Sequence, residues 1–207
     1  MRNAVGFYWT LPVPWAGFTE LPKDIDEAAK ASRTIRYQRE LIRRYAKEHN
    51  LRLVAEEAFL EIKPDRGSEY VLDALRSAEK ICREKNAQLL YVGFSEVHGW
   101  RGHGPLEAWV GRAGIDVDEL YPDEIEVDGA KFDPHAHFGI WRKRQYEWSA
   151  KKQERVSLAK EEALKLRETG ETYRDIAFRL NEANIRSATG KLWTEDMVRH
   201  LLHQAET

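Results

Sequence analysis

The chain has 207 residues, a formal net charge of −2, 42% hydrophobic and 33% charged residues, and one cysteine. That apolar content is enough to bury a core and excludes wholesale disorder, and no apolar run approaches the roughly 20 residues that span a bilayer. The lone Cys82 excludes an internal disulfide and a Cys-rich zinc module, and makes a reducing, cytoplasmic setting the expectation. The first residues, MRNAVGFYWTLP, carry one positive charge and no long apolar segment, unlike a secretory signal.

Charge is unevenly spread. Residues 131–207 hold 15 Lys and Arg against 12 Asp and Glu, whereas residues 1–130 hold 18 against 23. A basic stretch behind an acidic front can present an anion-binding arm while the whole molecule looks nearly neutral.

AVGFYW reads as a buried first strand, bounded by Pro12 and Pro14, and the proline-rich PVPWAGFTELPKD as a loop. A helical pattern resumes near Glu27 and strengthens through RTIRYQRELIRRYAKEHN, where Ile35, Leu41, Ile42 and Tyr45 share a face and Asn50 is the stop. LRLVAEEAFLEI alternates as a strand does, with Glu56, Glu57 and Glu61 read as a solvated edge. After the turn KPDRG, Ser68 is expected to cap a helix in which Val71, Leu72, Leu75, Ala78 and Cys82 recur at helical spacing. AQLLYVGF is continuous enough to be a strand buried on both faces. Strands are therefore expected near 4–9, 51–60 and 88–94, with helices over 33–49 and 68–84. That alternation predicts an α/β domain with a parallel sheet. A Gly-rich loop then leads to a short helix at 105–113, and EIEVDGAKFD predicts a hairpin turning at Asp128-Gly129.

From Ile140 to Arg167 charge is dense and Gly and Pro are absent, which predicts a long helix, interrupted near Ser149 and ended by Gly170. Two shorter helices follow, capped by Thr172 and Thr194, with Ile176, Leu180, Val198, Leu201 and Leu202 as a small core. Helices over 154–168, 172–184 and 194–205 form a helix-turn-helix pattern with a join longer than the usual turn. Arg186, Ser187, Thr189, Lys191, Trp193 and Thr194 around that join are donors or flat surfaces suited to phosphates and groove edges.

The run GETYRDIAFRLNEANIRSATGKLWTEDMVRHLL resembles the C-terminal segment of serine recombinases of the resolvase/invertase family. The matching positions are Gly170, Ile176, Ala177, Leu180, Asn181, Ile185, Gly190, Trp193, Val198 and Leu201, with Asn184 where a glycine is usual. YQRELIRRYAKEHNLRLVAEEAF and PDRGSEYVLDAL are similar to parts of the family's catalytic domain, which places Gln38 and the active-site-like Arg66. The resemblance also matches Tyr8 to the tyrosine that precedes the family's nucleophile. It then sets Thr10 at the family's arginine, Pro12 at its nucleophilic serine, and Ser95, Glu96 and Gly99 at a later Asp, Arg and Arg. Phosphoryl transfer rests on positioning and charge stabilisation, so these exchanges imply a degenerate catalytic centre.

The expected organisation is a resolvase-like parallel-sheet domain over 1–138, a connecting helix over 139–168 and a helix-turn-helix-like DNA-binding domain over 169–207. The expected function is binding of double-stranded DNA by a recombinase-like protein of a mobile element or phage. It would have no catalytic residues beyond the remnants Tyr8, Gln38 and Arg66, and no cofactor or metal. Its DNA contacts would come from Arg142, Arg144, Arg186, Ser187, Thr189, Lys191, Trp193, Thr194 and Arg199, and its partner would be a second copy or an active recombinase. One alternative is an active divergent recombinase that uses Thr10 or another hydroxyl. A second is a metal-dependent enzyme built on Asp133, His135 and His137 as alternate residues of a hairpin strand, with His98 and His103 in reserve.

Overall fold

The computed structural model describes residues 1–62, 67–95, 97 and 102–203. It divides into two compact units, one of residues 1–12 and 20–142, the other of residues 13–19 and 143–207.

The first unit is built on a four-stranded parallel sheet. Its strands are β1 (Arg2–Thr10), β2 (Leu51–Leu60), β3 (Ala87–Val92) and β4 (Val117–Leu120), in the order β2-β1-β3-β4. Among the described residues its helices are α1 (Ile25–Ala31), α2 (Arg33–Glu48), α3 (Val71–Lys85) and α4 (Gly104–Val110), and the N-terminal part of α5 (Pro134–Ala150) belongs to it as well. The three expected strands and two main helices are present within a few residues of their expected ends. β4 was not anticipated: VDEL has one apolar residue at each end and no alternation to announce it.

Central position explains burial. β1 and β3 are flanked on both sides, and from Ala4 to Thr10 and from Ala87 to Val92 every residue is buried. β2 lies at the edge, and from Leu53 to Leu60 it is only half-buried.

Local chemistry sets the element ends. Asp24 caps α1 through the backbone amides of Asp26 and Glu27. Ser32 ends α1 and starts α2, accepting from the Ile35 amide at 3.3 Å, so the expected single helical pattern is two helices. Asn50 and Asn86 take left-handed backbone at φ 53° and 46°, where their short amide side chains are tolerated, and stop α2 and α3. The predicted hairpin is present as β5 (Ile125–Val127) and β6 (Ala130–Phe132). Asp128 and Gly129 sit at φ 54° and 74°, as a type I′ turn requires. Ser68 is not the cap of α3. Residue Tyr70 occupies that position, because the Ser68 hydroxyl is drawn to Glu61 instead.

The second unit holds α6 (Lys152–Glu168), α7 (Tyr173–Glu182) and α8 (Glu195–His203), and residues 13–19 form a short turn with a 3-10 segment at Pro14–Ala16. α5 and α6 meet at Lys151, two residues beyond the expected interruption. Thr172 caps α7 through the Asp175 amide at 3.2 Å, and Thr194 Oγ1 accepts from the Met197 amide at 3.3 Å at the start of α8. Ala159, Ala163, Ile176, Leu180, Trp193, Val198, Leu201 and Leu202 form the core, including all five residues expected there. No described helix is long and apolar enough to cross a membrane.

Candidate functional site

Parallel sheets place ligand sites at the carboxyl ends of their strands, and here described side chains toward those ends bond to one another. Tyr8 on β1 is fully buried and donates to Glu56 Oε1 at 2.7 Å. The same carboxylate receives Arg39 Nε at 2.9 Å and Arg43 Nη2 at 2.9 Å, and Arg39 also reaches Asp26 at 2.7 Å. Burial pushes the Glu56 carboxyl up, but the hydrogen bonds from Arg39, Arg43 and Tyr8 outweigh it and hold it at about 2. Burial, then the Glu56 charge, pushes the Tyr8 phenol well above its usual value. The two arginines are thus committed to carboxylates on their own fold.

This cluster makes stability acid-sensitive. Because the folded carboxyl titrates below its ordinary 4.5, its contribution is complete above pH 4.5 and is lost as pH falls toward 2. The shift corresponds to a contribution on the order of 3 kcal/mol. Urea midpoints at pH 7 and pH 3 should therefore converge in Glu56→Gln relative to the parent; an equal acid loss in both proteins would refute the assignment.

Gln38 is fully buried. Its Nε2 donates to Trp9 O at 2.7 Å and Thr34 O at 3.1 Å, and its Oε1 accepts from the Trp9 amide at 3.2 Å. It clamps α2 to β1. At the end of β1, Thr10 and Ser32 are each 5% exposed, and the Ser32 hydroxyl donates to Thr10 Oγ1 at 3.2 Å. Pro12 is buried and offers no oxygen from its side chain. Ser95 is exposed, while Arg66, Glu96, His98 and Gly99 lie outside the described residues.

A second buried group was not foreseen. Glu61, read from sequence as a solvated residue, is 1% exposed at the end of β2, and His103 is 3% exposed before α4. His103 Nε2 donates to Glu61 Oε1 at 2.5 Å, and its Nδ1 accepts from the Leu106 amide at 3.3 Å, which puts the imidazole proton on Nε2. The Ser68 hydroxyl donates to Glu61 Oε2 at 2.7 Å and its amide to Oε1 at 3.1 Å, and the Trp9 ring meets His103 edge-on at 4.9 Å. The order is hydroxyl, carboxylate, imidazole. A nucleophile needs its base next to it and an orienting group behind that base, so this is not the arrangement of a serine nucleophile. The partners lie 42 positions apart, and no local pattern announces them.

Asp133, His135 and His137 are not on a hairpin strand. They lie at the start of α5, where residues two apart project about 200° from each other rather than on one face. Asp133 Oδ1 caps the helix through the Ala136 amide at 3.1 Å. His135 is exposed, whereas His137 is packed between Phe132 and Phe138 with Nε2 3.3 Å from the Thr34 hydroxyl. Burial, then the nearby Arg33 charge, lowers His137 to about 4. Cys82 is a buried thiol raised to about 11 by burial and the charge of Glu79.

The second unit carries the residues expected at a DNA interface except Arg142, which ends the first unit. Trp193 is the anchor of the α7–α8 join rather than a surface group. It is 7% exposed, its indole donates to Ile185 O at 2.9 Å, and its amide and carbonyl pair with the Asn181 side chain at 2.8 and 3.0 Å. Ser187 is 2% exposed, with its amide bonded to Lys191 O at 3.1 Å. These two are therefore structural. Gly190 is required because its φ is 82° and a Cβ there would meet Pro14 O at 2.5 Å. Asn184 takes the left-handed backbone, at φ 55°, that its place in the join asks for. Thr189 and Lys191 are exposed on the same segment and Arg186 is half-exposed. Arg199 is exposed but held by Glu195 at 2.9 Å and Asp196 at 3.0 Å. Thr194 spends its hydroxyl on the start of α8, and Arg142 and Arg144 are exposed on α5.

Comparison with models of known families, with curated proteins and with solved structures finds no match.

Proposed function

We propose that the protein binds double-stranded DNA as a serine-recombinase-like protein without a working nucleophile. The observation that supports this reading most is the α6–α8 unit. Its short helices pack on Trp193, and the join between α7 and α8 leaves Arg186, Thr189 and Lys191 at the surface. Arg142 and Arg144 on α5 add cations without ion pairs among the described residues. Binding would rest on phosphate contacts from these side chains, with base contacts from the join. The ion pairs of Arg199 with Glu195 and Asp196 set it aside as a main phosphate contact.

The resemblance assigns the nucleophile's place to Pro12, and the neighbouring Thr10 hydroxyl is buried against Ser32. A cytoplasmic protein of a mobile element or phage, paired with a second copy or an active recombinase, is the setting this reading implies. The test has two readouts on one incubation with duplex DNA. Native electrophoresis should show a retarded complex, and denaturing electrophoresis should show no protein covalently attached to DNA. An adduct that disappears in Thr10→Ala would instead establish strand cleavage, and absence of any retardation at low salt would overturn the DNA reading.

A further inference from the structure

The join between α7 and α8 carries one side chain that the packing of the unit does not use. Leu192 is 53% exposed, although Trp193 beside it is buried. Among the described residues from 179 to 203 it is the one large apolar side chain that is exposed. The backbone on both sides of it is tied down. The Ser187 amide donates to Lys191 O at 3.1 Å, the Gly190 amide to Ser187 O at 2.9 Å, and the Trp193 amide to Asn181 Oδ1 at 2.8 Å. Leu192 is thus held at the surface by a fixed turn between two buried residues, Gly190 and Trp193.

The company of this leucine gives it chemical meaning. Thr189, Lys191 and Thr194 are exposed on the same segment. A cation and hydroxyls suit phosphates and polar base edges. None of them suits the apolar group that an A·T pair presents in the major groove, the C5-methyl of thymine. A leucine held out among them does. Because the turn is already fixed, docking it costs little backbone entropy beyond the rotamers of the leucine itself.

We propose that Leu192 is a specificity-determining side chain that packs on the C5-methyl of thymine in the major groove. The inference rests on the DNA reading above and adds which base the join selects. Phosphate contacts from Arg142 and Arg144 would give affinity without sequence information. Burial of one methyl corresponds to about a three- to fourfold change in affinity.

The full chain is first used to select duplexes from a random-sequence pool. The selected site is then synthesised with deoxyuridine, which lacks only the methyl, in place of each thymine in turn. At one thymine at least, the exchange should weaken binding by the parent about three- to fourfold, read by fluorescence anisotropy. Leu192→Ala should bind the thymine and uracil duplexes alike at that position, near the affinity of the parent for the uracil duplex. Leu192→Ser should do the same, and reads the contact should the alanine variant not fold. Lys191→Ala should keep the thymine preference. Retardation without selection of any sequence, equal binding of thymine and uracil duplexes by the parent, or a thymine preference that survives in both Leu192 variants would overturn the proposal and leave the DNA reading standing. Absence of retardation of every duplex at low salt would overturn both.

Discussion

Raising salt from about 50 to 200 mM should weaken binding to double-stranded DNA by about three orders of magnitude. That fall is what about six phosphate contacts imply, because each neutralised phosphate releases condensed counterion. The exposed cations Arg142, Lys143, Arg144, Lys151, Lys152 and Lys191 are sufficient to supply them. The double variant Arg142→Ala/Arg144→Ala should weaken binding on every sequence alike and lower the salt slope by about 2. Lys191→Ala should act the same way if it contacts phosphate, and should cost about 1–3 kcal/mol on one sequence only if it contacts a base. Arg199→Ala should change little, since its guanidinium is already answered by Glu195 and Asp196. Fluorescence anisotropy over a salt series reads all three variants. A slope near zero, or a large loss confined to Arg199→Ala, would overturn this assignment of the contacts.

Replacing Glu61 by Ala should destabilise the protein by about 3–5 kcal/mol. The substitution removes the acceptor shared by His103 Nε2, the Ser68 hydroxyl and the Ser68 amide. His103 is 3% exposed, so the orphaned donor is left in a buried position. Glu61→Gln keeps the shape and one acceptor oxygen, so its loss should be smaller. The double variant Glu61→Leu/His103→Leu removes both partners together and should recover part of the loss, because buried polar groups cost most when only one is left. Urea denaturation midpoints separate the three. A Glu61→Ala protein within about 1 kcal/mol of the parent would show that the group contributes nothing net.

Residues whose chemistry acts within a few positions could be read directly. Ile35, Leu41, Ile42 and Tyr45 marked a helix face and Asp128-Gly129 marked a tight hairpin, because periodicity and backbone sterics are local. The parallel sheet followed from the alternation of such segments, although β4, with no pattern of its own, was recognisable only through its pairing with β3. The clusters at the carboxyl ends of the strands were a different matter. Glu56 and Glu61 look alike in sequence, yet one gathers Tyr8, Arg39 and Arg43 while the other disappears beneath His103 and Ser68. Their fates depend on partners brought from up to 48 positions away. Trp193 carries the same lesson. An indole in a polar, Gly-containing join suits a DNA surface as well as a core, and only the packing of α7 against α8 turned it inward. Sequence alone therefore determined most of the helices, strands and turns, since those depend on near neighbours, but not β4 or the helical start of α5 at 133–137. Which charges are buried, which arginines are already paired and which aromatics face solvent were decided by tertiary structure, because burial and pairing are properties of groups that meet only after the chain has folded.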